Sequence, residues 1–186
     1  MAKPSERDLE YIKRAEKMSW KELNALWGQI KAGNTPGWDK GKALEHLVIR
    51  AFRLNKLEAE YPYDVPPGGK AIEQIDGLVY LNCYTFLIEC KDKETVDIEA
   101  IAKLRNQLLR RPDTTFGCVF TADRFTEPAR ILVGFSVPHR ILLWSGVDIE
   151  GCLQKKSFAS TLLDKYRHLC KYGLIESVQN YKDLAV

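Results

Sequence analysis

Two periods of apolar spacing alternate along the chain. Leu9 and Ile12 begin a thin stripe, and Trp20, Leu23, Leu26, Trp27 and Ile30 make a fuller one at steps of three and four, so residues 5–32 read as one or two helices. "AGNTPGW", with Gly33, Asn34, Pro36 and Gly37, interrupts the pattern and marks a candidate boundary. Leu44, Leu47, Val48, Ala51 and Phe52 then predict an amphipathic helix, with Asp39 as its N-cap. "EAEYPYDVPPGGK" predicts a short strand and a Pro/Gly loop. "AIEQIDGLVYLN" and "CYTFLIECKD" predict two strands joined near Asn82 and Cys83 as an antiparallel hairpin. In "TVDIEAIAKLRNQLLRRP" the residues Val96, Ile98, Ile101, Leu104 and Leu108 face inward along a helix that Pro112 ends. "TTFGCVFTA" and "RILLWS" are buried-strand types. Between them Thr126 caps a helix with Pro128 in its first turn, and helical pieces fill 147–172.

A hairpin feeding strand–helix–strand units predicts an α/β fold, a mixed sheet with helices on both faces. Right-handed crossovers place Phe86–Lys91 at its centre. Residues 37–152 form the expected core, with a helical extension at 1–36 and a helical segment at 153–186.

Composition narrows this little. The 186 residues, 45% hydrophobic and 28% charged, suit one domain with a real core. No apolar run is long enough to span a membrane, and the first eighteen residues contain no secretory h-region. The five cysteines form no CxxC and the three histidines are scattered, which argues against a zinc knuckle or a disulfide framework; a cytoplasmic protein with reduced thiols is expected. The net charge of +3 selects no partner. Lys103, Arg105, Arg110 and Arg111 crowd one segment, and Lys155, Lys156, Lys165, Arg167 and Lys171 crowd the tail. Such clusters neutralise phosphates or merely solvate helix faces.

The sharpest chemistry lies in "TFLIECKDK". Alternation puts Glu89 and Lys91 on one face of a strand whose interior is Phe86, Leu87 and Ile88, with Cys90 on the other. Asp76, thirteen positions before Glu89, comes beside it through the hairpin. Two carboxylates there repel each other, and a divalent cation with oxygen ligands relieves that repulsion. A lysine two residues on can hold or activate a metal-polarised water, the requirements of phosphodiester hydrolysis. The plain alternative is an edge ion pair worth about 0–1 kcal/mol beside a turn opened by Asp76. Glu45, on the amphipathic helix, is either a further member of the site or a solvated carboxylate.

"KGKALEHLVIRAF", "QIDGLVYLNCYTFLIECKDK" and "FTADRFTEPA" together resemble the PD-(D/E)xK nuclease superfamily, closest to its Mrr-type restriction-endonuclease branch, over roughly residues 40–150. The resemblance implies a restriction-endonuclease-like fold and Mg²⁺-dependent DNA cleavage, with Mn²⁺ as an alternative ion. By motif, Glu45, Asp76, Glu89 and Lys91 take the catalytic places, Asp76 and Glu89 bind the metal, and the Cys90 carbonyl adds a ligand. Two features depart from the pattern: Ile75 replaces the proline before Asp76, and Arg111 stands where the exonuclease-like Q-x-x-x-Y signature has tyrosine. Expected partners are DNA and a second copy of the chain, since duplex cutting commonly uses two active sites. Two other functions share these residues: a nuclease-fold binding module that does not cut, and a resolvase of four-way (Holliday) junctions.

Lys103, Arg105 and Gln107 are candidate phosphate contacts on the helix after the catalytic strand, or generic exposed residues. Trp20, Trp27 and Trp38 suit core or interface better than base stacking. His46 suits capping or the surface, and Cys118 and Cys170 suit the core. His139 and His168 have no evident partners, and "PPGGK" is too sparse in suitably spaced glycines for a phosphate loop.

Overall fold

The computed structural model describes residues 5–65, 73–92, 95–135 and 141–173. The loop at 66–70, His139 and the end of the C-terminal segment lie outside them. Two helices open the chain, α1 (Glu6–Glu16) and α2 (Trp20–Lys31). Each starts at a serine whose hydroxyl accepts from the amide of the third helical residue while the acid there reaches back, Ser5 with Asp8 and Ser19 with Glu22. Next come α3 (Lys42–Leu54), β1 (Glu58–Glu60), β2 (Tyr63–Val65), β3 (Glu73–Ile75), β4 (Gly77–Leu81), β5 (Tyr84–Lys91) and β6 (Thr95–Val96). The remainder is α4 (Ile98–Leu108), β7 (Thr115–Thr121), β8 (Arg124–Phe125), α5 (Glu127–Phe135), β9 (Ile141–Trp144), α6 (Gly146–Lys155) and α7 (Phe158–Tyr172).

The main sheet has the order β1-β4-β5-β7-β9, antiparallel from β1 to β5 and parallel from β5 to β9. The expected mixed sheet is therefore present, with Phe86–Lys91 in its middle strand. Two-stranded pairs β2–β3 and β6–β8 flank it. The hairpin turns at Asn82, whose φ of 56° lies in the left-handed region that asparagine tolerates.

Helices α3 and α4 lie on opposite faces. Gly77 faces α3: a Cβ there would stand 2.8 Å from Ile49 Cγ1 and 3.0 Å from the Glu60 carbonyl. Gly117 faces α4, where a Cβ would stand 2.6 Å from Leu104 Cδ2. Its register partner Leu87 shares that face, and so, by alternation, do Glu89 and Lys91. Phe52 anchors α3 in an aromatic cluster, edge-on to Phe120, Trp144 and Phe158 with ring centres 5.5–6.2 Å apart.

Several local expectations are corrected. Asp39 does not cap α3; its carboxylate pairs with Arg7 at 2.6 Å, and Gly41, at φ +83°, starts the helix without a side-chain cap. Ile98 is exposed: Thr95 and Val96 form β6, Asp97 is an extended N-cap, and Ile98 is only the first residue of a helix that the periodicity starts earlier. His46 is buried, its Nδ1 2.8 Å from the Lys42 carbonyl. Cys118 is buried as expected but Cys170 is exposed. Trp27 and Trp38 are core residues.

Candidate active site

Four sequence candidates converge where β4 begins and β5 ends. Gly77 pairs with Ile88, so Asp76, immediately before β4, falls beside the end of β5. Its Oδ2 accepts from the Cys90 N–H at 2.8 Å, which locks the acid onto the strand. Glu89 is 1% exposed and Asp76 6%. Burial first, and then the Glu89 charge, hold the Asp76 pKa above its ordinary value, against the pull of the Cys90 N–H and of Lys103 and Lys91.

Glu45 comes from the first turn of α3. It is buried, and its pKa is pushed up to about 7, by burial first and then by the charge on Asp76, despite its ion pair with Lys42 at 2.8 Å. These are marks of acids packed together in a poorly solvated place. Burial is the largest single influence on the Lys91 ammonium and lowers its pKa, yet its bond to Glu89 Oε1 at 2.6 Å together with the charges of Glu89 and Asp76 outweighs this and its pKa ends above the ordinary value. Cys90 participates through its backbone. Its thiol is buried with its pKa well raised, by burial and then by Asp76, so it is a neutral wall.

Sequence reasoning missed the part played by α4. Lys103, Gln107 and Arg111 form one row at steps of four along and just beyond it. Lys103 Nζ lies 3.0 and 2.7 Å from the two Glu89 oxygens. Gln107 Nε2 donates to the Gln74 carbonyl at 3.3 Å, and Arg111 reaches Glu73 at 2.9 Å and the Gln107 carbonyl at 2.6 Å. The row ties α4 to β3, directly before Asp76. Gln107, read as a phosphate contact, is buried in this role, whereas Arg105 is exposed. No local pattern signalled it, because β3 covers a helix face that the 3.6 period marks as solvent.

Asp92, the residue after β5, accepts from the Gly41 N–H at 2.9 Å and so joins the catalytic strand to the start of α3. Next to this clasp opens a cleft of about 1180 Å³ with Lys31, Lys40, Leu44, Asp92, Thr95 and Arg124 on its walls. Glu45, Asp76, Glu89 and Lys91 do not line it, but Leu44 and Asp92 do, as the chain neighbours of Glu45 and Lys91. The cleft lies outside the carboxyl ends of β5 and β7, where open α/β sheets bind ligands.

Among the described residues no three His, Cys, Asp or Glu side chains form a ready-made metal cage. The donors present still fit a hard divalent cation. Mg²⁺ takes one or two carboxylates and fills its other positions with water and substrate phosphate. Asp76 and Glu89 supply hard oxygens, and the burial and then the acid–acid repulsion that raise the pKa values of Asp76 and Glu45 are a cost of ionisation that such an ion would offset.

A mixed sheet with an acid-and-lysine cluster at the end of its middle strand is a restriction-endonuclease-like arrangement. The Mrr_cat family, described as restriction endonuclease, matches residues 39–153, and the chain belongs to it. No curated protein matches the chain. Three solved structures are similar. The "Protein of Unknown Function AF1548" shares 20% identity at a TM-score of 0.47, over 57% of this chain and 62% of its own. The "DNA modification-dependent restriction endonuclease AspBHI" shares 18% at 0.42, over 80% and 40%. "MspJI Restriction Endonuclease in Complex with 27-mer Oligonucleotide" shares 16% at 0.41, over 87% and 39%. The chain thus spans less than two thirds of each of these proteins.

Proposed function

We propose that the chain is a DNA endonuclease that uses Mg²⁺, or Mn²⁺ in its place, to hydrolyse phosphodiester bonds. The observation that carries this reading is the convergence of Glu45, Asp76, Glu89 and Lys91 at one end of a buried strand pair, beside a cleft with basic residues on its wall. Asp76, Glu89 and the Cys90 carbonyl would hold the cation, with Glu45 steadying it or its water shell. Bound there, the ion would supply Lewis-acid polarisation of the phosphate and a more acidic water. Lys91 orients the attacking water through its ammonium, itself fixed by Glu89. Arg105 and the cleft residues Lys40 and Arg124 meet the backbone phosphates of the substrate strand. Two such centres, as in a homodimer, suit cutting of both strands, and the activity suits restriction or repair in the cytoplasm.

Supercoiled plasmid, linear DNA, branched DNA and RNA, incubated with Mg²⁺ and then with EDTA, test the reading. Nicking or linearisation of plasmid that EDTA and Lys91→Ala both abolish is the expected result. Tight DNA binding without cleavage under any divalent ion would replace the enzyme with a binding module. Strong preference for four-way junctions would make it a resolvase.

A further inference from the structure

Glu89 is the most buried acid of the site, and both its oxygens are engaged by ammonium groups. Lys91 Nζ lies 2.6 Å from Oε1, and Lys103 Nζ lies 2.7 Å from Oε2 and 3.0 Å from Oε1. The two lysines differ in freedom. Lys91 shares the strand with Glu89, and its side chain is 32% exposed. Lys103 arrives from α4 with 43% of its side chain exposed, so its head has solvent to swing into once another cation meets Glu89, while the carboxylate, fixed in the middle strand, stays. The other members of its row are committed, Gln107 to the Gln74 carbonyl and Arg111 to Glu73. Only the first position in the row has room to switch.

We propose that Lys103 is a built-in counter-ion that a divalent cation must displace from Glu89, and that the released ammonium then contacts a phosphate of the bound strand. The proposal rests on the nuclease reading above. A buried carboxylate left with one partner is costly, so Lys103 compensates the Glu89 charge until the cation takes over that task. Displacement moves the ammonium a short way and leaves it beside the acids, where a substrate phosphate brings negative charge back. Lys103 thus lowers the site's affinity for the ion and raises it for DNA once the ion is in place. It acts on metal through Glu89, as a positioning residue, and on DNA directly.

Lys103→Met and Lys103→Gln test this, with Arg105→Met removing an equal charge from the same helix; circular dichroism checks folding. Mn²⁺ binding is measured by calorimetry without DNA. The expected result is about fivefold tighter binding in both Lys103 variants, the scale of a half-exposed ion pair, and a change under about twofold in Arg105→Met. Binding of a DNA duplex in Ca²⁺ should weaken in the Lys103 variants, with the slope of log affinity against log salt smaller by about one. Unchanged or weaker Mn²⁺ binding overturns the displacement, as does an equal gain in Arg105→Met, which would make the effect simple long-range charge. Unchanged DNA affinity overturns the transfer to phosphate. If the wild type cleaves plasmid while Mn²⁺ affinity ignores Lys103, this inference alone falls; if it binds Mn²⁺ with the predicted contest but cuts nothing, the nuclease reading falls instead. Absence of Mn²⁺ binding overturns both.

Discussion

Glu45→Gln separates stability from activity in a way that the buried acids make quantitative. The Glu45 pKa stands at about 7 in the fold against an ordinary 4.5, so the folded state prefers the neutral acid. Below pH 4.5 both states hold the proton and folding loses nothing. Between 4.5 and 7 the unfolded chain ionises while the folded chain resists, and stability falls as pH rises. At about 1.4 kcal/mol per pH unit, the full loss above pH 7 is about 3 kcal/mol, of which roughly 2 kcal/mol develops between pH 5 and 8.5. Glutamine fills the same space and cannot ionise, so the variant lacks this loss even though it gives up the ion pair with Lys42. His46 moves the other way: burial draws its pKa down to about 4 from 6.5, and stability is lost as pH falls through that window. Both proteins carry His46, so it cancels in their difference. Urea unfolding of each in EDTA at pH 5 and pH 8.5 gives the two gaps. The variant should gain about 2 kcal/mol on the wild type between those conditions while losing cleavage. A gap that stays constant with pH, or that shifts toward the wild type, would refute the claim that Glu45 is a strained buried acid.

Three further outcomes are expected. Lys91→Ala should lower the cleavage rate about 10²–10⁴-fold, the range for a positioned proton-transfer group, while duplex affinity measured in Ca²⁺ changes only a few-fold. Gly77→Ala should destabilise by about 1–3 kcal/mol, because its methyl drives Ile49 away from the sheet next to Asp76; Ile49→Ala in the same chain should restore part of the lost activity, and no recovery would count against steric transmission. Mg²⁺ should raise the melting temperature more at pH 8.5 than at pH 5.5, since Glu45 and Asp76, with raised pKa values, must shed protons to meet it. Equal shifts at both pH values would count against an acid-rich site.

The central strand and its acids were legible because their signals are local: an apolar run, a one-residue alternation, and a hairpin that sets Asp76 against Glu89. The stripe on α3 was equally plain, since nine of its thirteen residues are buried. Its start was not. Asp39 has the chemistry of a cap, but Arg7, far away in sequence, captures its carboxylate, and a glycine with positive φ takes over the boundary. The grip of α4 on β3 was invisible for a similar reason. Lys103 and Glu89 are fourteen residues apart on different elements, and only the crossover brings them together. Gln107 reads as a solvent-facing amide until β3 covers it. Short-range pattern thus revealed the strand that carries the chemistry, while long-range pairing decided which neighbours tune it.

Glu89 and Lys91 lie on the middle strand beyond the last β4 pair, at Ile88, and are held by β7 through their register with Val119 and Thr121. Their backbone is therefore released only when β5 parts from β7 in the interior of the sheet, not when a peripheral helix opens. Fraying of α1, α2 or α7 would leave these two groups aligned. Heat inactivation should accordingly follow global unfolding in a single step, with no cooler stage at which the protein is intact but chemically disarmed.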